Sequence, residues 1–216
     1  MQKAVIFDLD GTLLYTLEDL KNSVNVALNK FNYPSRTLDE VRNFVGNGVR
    51  LLIERAIPNG KSNPHFEECL KYFKEDYVKN MYNETKPFDG ILEMLENLRK
   101  KDYKIGVVSN KFDKAVKELC DKYFEGKIDV AIGENEEKGV RKKPDPTGVF
   151  EAIKLLNCDK NFTYYVGDSE VDIQTAKNSN LKCISVTWGY KDKEFLLKND
   201  AEIIINNPEE IFEILK

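Results

Sequence analysis

Apolar residues recur along this 216-residue chain in two rhythms. Short unbroken runs rich in β-branched and aromatic residues occupy 3–8, 104–109, 129–132, 163–167, 182–187 and 202–205, the length and composition of buried strands. Between most of them the apolar positions step by three and four, as in Ile91, Leu92, Leu95 and Leu98. Val116, Leu119, Cys120 and Tyr123 do the same, as do Val149, Phe150, Ile153 and Leu156. That spacing predicts amphipathic helices. Strands alternating with helices predict an α/β fold with a doubly wound parallel sheet and right-handed crossovers. Ligands of such sheets sit at the carboxyl ends of strands, near a topological switch point.

The interval 15–85 breaks the alternation. Leu17, Leu20, Val24, Leu28 and Phe31 keep helical spacing, as do Val49, Leu52, Ile53 and Ala56, then Phe66, Leu70, Phe73, Tyr77 and Met81. Pro34, Gly46-Asn47-Gly48 and Pro58-Asn59-Gly60 punctuate these helices. The expected organisation is a core of residues 1–14 and 86–216 and an inserted helical cap of residues 15–85. Hinges near Leu14 and Thr85-Lys86-Pro87 would join the two.

Composition and charge narrow the partners. Net charge is −4 and bases are scattered among acids, so no basic stripe argues for nucleic acid or an anionic membrane. A small molecule is the expected partner, and the chain itself is expected as a monomer or homodimer. No apolar run approaches a membrane span of about 20 residues. Met1-Gln2-Lys3 leads straight into a strand without the pattern of a secretion signal, so the expected address is cytoplasmic. Cys69, Cys120, Cys158 and Cys183 are widely spaced, which favours reduced, mostly buried thiols over a zinc or dithiol centre. His65 and Cys69 stand one helical turn apart and are read as packing; Glu134-Asn135-Glu136-Glu137-Lys138 is read as a solvated loop.

Candidate chemistry gathers at strand ends. The run Val5-Ile6-Phe7 stops at Asp8-Leu9-Asp10-Gly11-Thr12. Side chains two apart on an extended chain share a face, so Asp8 and Asp10 can converge. Like charges about 4 Å apart repel by roughly 4 kcal/mol at an effective dielectric near 20. A bound cation or a shared proton relieves this, and Mg²⁺ takes such oxygen ligands. Ser109-Asn110-Lys111 follows a second strand, where a hydroxyl, a carboxamide and an expected helix start suit either a phosphate or a simple cap. Lys143 precedes Pro144-Asp145-Pro146, a rigid segment able to hold a point charge against a phosphate oxygen and a nucleophile. Gly167-Asp168-Ser169-Glu170-Val171-Asp172 ends another strand. Asp168 would complete the cation site, and Asp172 would either support it or hold Lys143.

In this order the four segments resemble the signatures of the haloacid dehalogenase superfamily, and within it the phosphoglycolate-phosphatase-like phosphohydrolases. The resemblance covers nearly the whole chain and places residues 15–85 where that superfamily carries a C1-type cap. It implies a Rossmann-like core of strand order 5-4-1-2-3. It further implies Asp8 as nucleophile, Asp10 as general acid and base, and Lys143 as a catalytic cation. Mg²⁺ would be held by Asp8, the backbone carbonyl of Asp10 and Asp168, with the phosphate against Gly11, Ser109, Asn110 and Lys143. The implied reaction is Mg²⁺-dependent hydrolysis of a small phosphorylated metabolite through an aspartyl phosphate, phosphoglycolate being the leading candidate. A β-phosphoglucomutase-like sugar-phosphate mutase and a catalytically silent module of the same fold are the alternatives. Tyr15-Thr16 departs from the Asp-Ser common in close relatives. Gly46-Asn47-Gly48 and Trp188-Gly189-Tyr190 fit the subgroup, with Arg50, Arg55 and Lys111 as candidate substrate contacts.

Overall fold

The computed structural model describes residues 2–135, 137 and 139–215, so Met1, Lys216 and, in the expected acidic loop, Glu136 and Lys138 lie outside the described residues. Two compact units are present: Met1–Leu14 with Pro87–Lys216, and Tyr15–Lys86. In chain order the strands are β1 (Ala4–Phe7), β2 (Leu14–Tyr15), β3 (Lys86–Pro87), β4 (Lys104–Phe112), β5 (Val130–Glu134), β6 (Thr163–Gly167), β7 (Lys182–Val186) and β8 (Ile203–Ile205). Helices α1 (Leu17–Asn29), α2 (Leu38–Phe44), α3 (Val49–Ala56) and α4 (Phe66–Asn80) belong to the second unit. The first unit holds α5 (Ile91–Lys100), α6 (Asp113–Phe124), α7 (Thr147–Leu156), α8 (Glu170–Ser179), α9 (Lys193–Lys198) and α10 (Ile211–Ile214).

Six strands form one sheet in the order β5-β4-β1-β6-β7-β8, paired in parallel. Numbered within the core alone, its first five strands run 3-2-1-4-5, the expected 5-4-1-2-3 read from the opposite edge, and β8 extends the sheet. The α/β fold with a parallel Rossmann-like sheet is therefore present. Ala4, Val5, Ile6 and Phe7 are fully buried, as a central parallel strand covered on both faces requires. Phe7 lies opposite both Val107 and Val166, so β1 and β6 reach their carboxyl ends within a residue of one another, beside the longer β4. That shared edge is where β1 opens into Asp8.

Two details of the helical pattern differ from the sequence reading. Leu92 and Phe150 are exposed, while Met94 and Phe124 are buried; where apolar residues are adjacent, spacing alone does not say which one faces the sheet. A larger difference concerns Ser109-Asn110-Lys111, expected at a helix start. Here β4 continues through Phe112, and α6 begins only at Asp113. Pairing with β5 shifts register after Val108 and resumes at Phe112 opposite Glu134. Asp113 Oδ1 accepts the Gly133 N–H at 3.1 Å, which anchors the helix start to the neighbouring strand.

Within the Tyr15–Lys86 unit, Leu17, Leu20, Val24 and Leu28 of α1 and Phe66, Leu70, Phe73 and Tyr77 of α4 are buried. Buried Asp19 accepts the Glu84 N–H at 3.1 Å and the Thr85 N–H at 2.9 Å, tying the exit of this unit to its first helix. His65 stacks on Phe31 with ring centroids 4.5 Å apart, and Cys69 donates to the Ala27 carbonyl; both are packing residues. The four cysteines form no disulfide. Burial pushes the Cys120 and Cys183 thiols up to about 12 and that of Cys69 to about 11, so they stay neutral and unreactive. Among the described residues no helix is long and apolar enough to cross a membrane.

Candidate active site

Each candidate group of the first unit stands where a strand ends or in the loop that follows it. The Asp8 N–H continues the sheet by donating to the Val166 carbonyl at 2.8 Å. Beyond it the backbone winds into a tight turn in which the Leu9 carbonyl accepts from Leu13 and Leu14 at 3.0 and 2.9 Å. Gly11 serves this turn with a positive φ of 85°, and a Cβ there would lie 2.5 Å from Asp168 Oδ2. Its N–H donates to the Leu14 carbonyl at 2.9 Å. Gly11, expected against the phosphate, has its N–H already paired, and the structure shows it allowing the close approach of two loops.

Lys143 is the hub. Its Nζ lies 2.8 Å from Asp8 Oδ1 and 2.7 Å from Asp172 Oδ1, and all three side chains are nearly inaccessible to solvent. Burial alone would lower its ammonium, but Asp172 and Asp8 outweigh that and hold it well above its ordinary value. Asp172 cannot be spared for another task. Its Oδ1 accepts from Lys143 and, at 3.3 Å, from the Tyr165 hydroxyl, and its Oδ2 accepts from Ser169 N and Oγ at 3.1 and 2.6 Å. The backward reach to Ser169 is the carboxylate half of a capping box at the start of α8.

Asn110 turns to Lys143. Its Oδ1 accepts the Lys143 N–H at 2.6 Å and its Nδ2 donates to the Lys143 carbonyl at 3.1 Å. Expected against a phosphate, the carboxamide instead clamps the backbone of the residue carrying the cation. Ser109 is buried beside it, its Oγ accepting the Lys111 N–H at 3.2 Å. Lys111 is itself buried, with Nζ 3.1 Å from Asp10 Oδ2.

Asp168 is held from two directions. The Tyr190 N–H donates to Oδ2 at 2.7 Å, and the Thr12 hydroxyl approaches Oδ1 at 3.4 Å. Trp188 Nε1 donates to the Thr12 carbonyl at 2.9 Å, so the loop after β7 braces both Asp168 and the β1 turn. A Cβ on Gly189 would sit 2.4 Å from Asp168 Cβ and from the Gly11 carbonyl oxygen. The sequence marked Trp188-Gly189-Tyr190 only as a subgroup feature, with no sign of this contact.

The electrostatics ask for a cation. Oxygens of Asp8, Asp168 and Asp172 lie within 4.8 Å of one another. Burial pushes the Asp8 carboxyl from 3.8 up to about 7 against the pull of Lys143. Burial, followed by the charges of Asp172 and Asp8, pushes Asp168 well above the usual carboxylate range. Four carboxylates, Asp8, Asp10, Asp168 and Asp172, meet two ammonium groups, Lys111 and Lys143, leaving an excess of two negative charges that a dication matches. Glu170, the first residue of α8, keeps a buried carboxylate oxygen without a hydrogen-bond partner. Since Asp172 is engaged by Lys143 and Ser169, Asp8 and Asp168 are the carboxylates better fitted to hold such an ion, and hard oxygen donors suit Mg²⁺. Arg50 pairs with Glu67 and lies over the Phe66 ring, while Arg55 donates to the Phe44 carbonyl.

Comparison with known proteins covers the span that contains these residues. A family model described as haloacid dehalogenase-like hydrolase matches residues 5–186. The phosphoglycolate phosphatase of Aquifex aeolicus is 31% identical over 189 residues, covering 87% of this chain and 86% of its own. A crystal structure from Lactobacillus delbrueckii subsp. bulgaricus, of a protein assigned as a phosphoglycolate phosphatase, superposes with a TM-score of 0.94. It shares 36% identity over 99% of this chain and 98% of its own. A Haemophilus somnus protein with the same assignment reaches a TM-score of 0.89 at 26% identity, covering 98% and 97% of the two chains. With its site groups at the strand ends of a parallel sheet and these matches spanning nearly its full length, the chain belongs to the haloacid dehalogenase-like hydrolases, as a phosphatase of the phosphoglycolate-phosphatase-like group.

Proposed function

We propose that this phosphatase hydrolyses a small phosphomonoester, phosphoglycolate first among candidates, through an aspartyl phosphate formed on Asp8, with residues 15–85 as its cap. The observation that carries the reading is the buried Lys143 ammonium 2.8 Å from Asp8 Oδ1. A carboxylate attacking a dianionic phosphoryl group faces repulsion, and a fixed cation beside the nucleophile offsets it. Asp8 attacks phosphorus while the bond to the leaving oxygen breaks, and Asp10 gives that oxygen its proton. In the second half, water attacks the phosphoryl group, Asp10 takes the proton of that water, and the Asp8–phosphorus bond breaks to release orthophosphate. Ser109 donates its hydroxyl to the transferring oxygens. Asn110 acts one step removed, through the backbone of Lys143. Asp8 and Asp168, with the Asp10 carbonyl, would hold Mg²⁺, which would supply charge neutralisation for the phosphoryl oxygens.

The test is phosphate release from p-nitrophenyl phosphate and phosphoglycolate by purified protein with Mg²⁺. Turnover that survives Asp8→Asn assigns the nucleophile wrongly. A rate indifferent to chelation removes the metal. Isomerisation of a hexose 1-phosphate without released phosphate marks a mutase instead.

A further inference from the structure

The two buried ammonium groups of the site are placed on different carboxylates. Lys143 lies between Asp8 and Asp172, on the side of the nucleophile. Lys111 lies 3.1 Å from Asp10 Oδ2, with only 2% of its side chain exposed. A lysine is rarely buried so fully unless paired; Lys142, next to Lys143 in sequence, is held on Glu134 at 3.2 Å. Residue 111 is fixed at the end of β4, where its N–H donates to Ser109 Oγ.

Resting on the phosphatase reading above, we propose that Lys111 selects the leaving group by receiving a carboxylate that the departing alcohol carries. Asp10 exchanges its proton with the leaving oxygen, so the leaving group lies against the Asp10 carboxylate. A cation 3.1 Å from that carboxylate is then within reach of an anionic group one carbon beyond the ester oxygen. A substrate carboxylate entering here meets Asp8, Asp10, Asp168 and Asp172, and without a cation of its own it is repelled. Lys111 can exchange one carboxylate for another by moving its flexible four-carbon stem, which keeps the buried ammonium paired throughout. The exchange also frees Asp10 Oδ2 for the leaving oxygen. One point charge matches one carboxylate; a second phosphate, carrying two charges, calls for a forked or doubled cation. The favoured substrates are short phosphoesters with a carboxylate next to the ester carbon, and esters with an uncharged leaving group leave Lys111 on Asp10.

The experiment compares kcat and KM for 2-phosphoglycolate and ethyl phosphate, which differ in the carboxylate, in wild type, Lys111→Met and Lys111→Arg, with Mg²⁺. Wild type should favour phosphoglycolate in kcat/KM by on the order of 100-fold, the size of one buried charge-assisted contact. In Lys111→Met that preference should shrink at least about tenfold, mainly through KM, and Lys111→Arg should recover part of it. Wild type lacking the preference, while hydrolysing p-nitrophenyl phosphate, overturns the assignment without any variant. Equal losses on both esters in Lys111→Met also overturn it, because Lys111 then acts only through Asp10 or through folding. Wild type that hydrolyses none of the three esters overturns the phosphatase reading beneath it.

Discussion

Replacing Asp8 with asparagine should abolish turnover and yet stabilise protein stripped of divalent cations at pH 8. In the unfolded chain this carboxyl ionises near 3.8, and in the folded site at about 7. At roughly 1.4 kcal/mol per unit, holding the charge in the folded site costs about 4 kcal/mol more than in water. The sign follows from proton binding. The folded state keeps the proton to higher pH than the unfolded state, so the wild type loses stability as pH rises from about 4 to about 7. A carboxamide has no charge to bury and retains an acceptor for Lys143, so the gap between variant and wild type should be near zero at pH 4 and about 4 kcal/mol at pH 8. At roughly 2–4 °C per kcal/mol for a chain of this length, that is an upward shift in Tm of order 10 °C.

Thermal unfolding in EDTA at pH 4.5, 6 and 8 measures this. The single tryptophan, Trp188, bonds to the Thr12 carbonyl in the turn that follows Asp8, so its fluorescence reports the unit that contains the substitution. Mg²⁺ should narrow the gap by stabilising the wild-type carboxylate. A gap independent of pH, or a wild type more stable than Asp8→Asn at pH 8, would refute the reasoning that Asp8 is a strained charge awaiting a cation.

Asn110→Ala should lower kcat on p-nitrophenyl phosphate by on the order of 100-fold with an unchanged circular dichroism spectrum, because it releases both backbone contacts that position Lys143. Gly189→Ala should raise the Mg²⁺ concentration giving half-maximal activity by roughly 10- to 100-fold, since the added Cβ would press on Asp168 and on the Gly11 carbonyl; an unchanged Mg²⁺ dependence would dismiss the loop after β7 as a support of that carboxylate. Asp19→Ala should destabilise the Tyr15–Lys86 unit by about 3 kcal/mol in urea unfolding, as the Glu84 and Thr85 N–H groups lose their acceptor.

What the amino-acid pattern reveals and what it conceals divide along a physical line. The strands are legible because a parallel strand buried on both faces needs consecutive apolar residues, as Ala4 to Phe7 are. The strand-end acids are legible because carboxylates recur directly after successive apolar runs, and Lys143 because it stands before the rigid Pro144-Asp145-Pro146 segment in order with them. The tasks of Asn110, Gly189 and Tyr190 were hidden because their partners are backbone atoms or side chains distant in sequence, as in Asn110 with Lys143, Tyr190 with Asp168 and Gly189 with Asp168 and Gly11. Backbone groups are the same at every position, so they leave no mark in residue type. Leu92 and Phe150 failed for a related reason: adjacent apolar residues satisfy helical spacing equally well, and only packing chooses between them.

Asp172 shows how geometry decides between roles that chemistry leaves open. A carboxylate four residues after Asp168 is equally suited to a cation and to a lysine. A carboxylate has about four lone-pair sites, and here Lys143 takes Oδ1 and Ser169 N and Oγ take Oδ2, with the Tyr165 hydroxyl placed between Oδ1 at 3.3 Å and the Val108 carbonyl at 3.2 Å. A cation ligated by Asp172 would compete with Lys143 at Oδ1 or with the Ser169 pair at Oδ2, whereas the Tyr165 hydroxyl has a second acceptor in the Val108 carbonyl at 3.2 Å. Asp8 has Lys143 on Oδ1, and Asp168 is held by the Tyr190 N–H and the Thr12 hydroxyl. Under the proposed mechanism the division of labour follows: Asp172 positions the lysine, the lysine restrains the proposed nucleophile Asp8, and Asp8 would share the ion with Asp168.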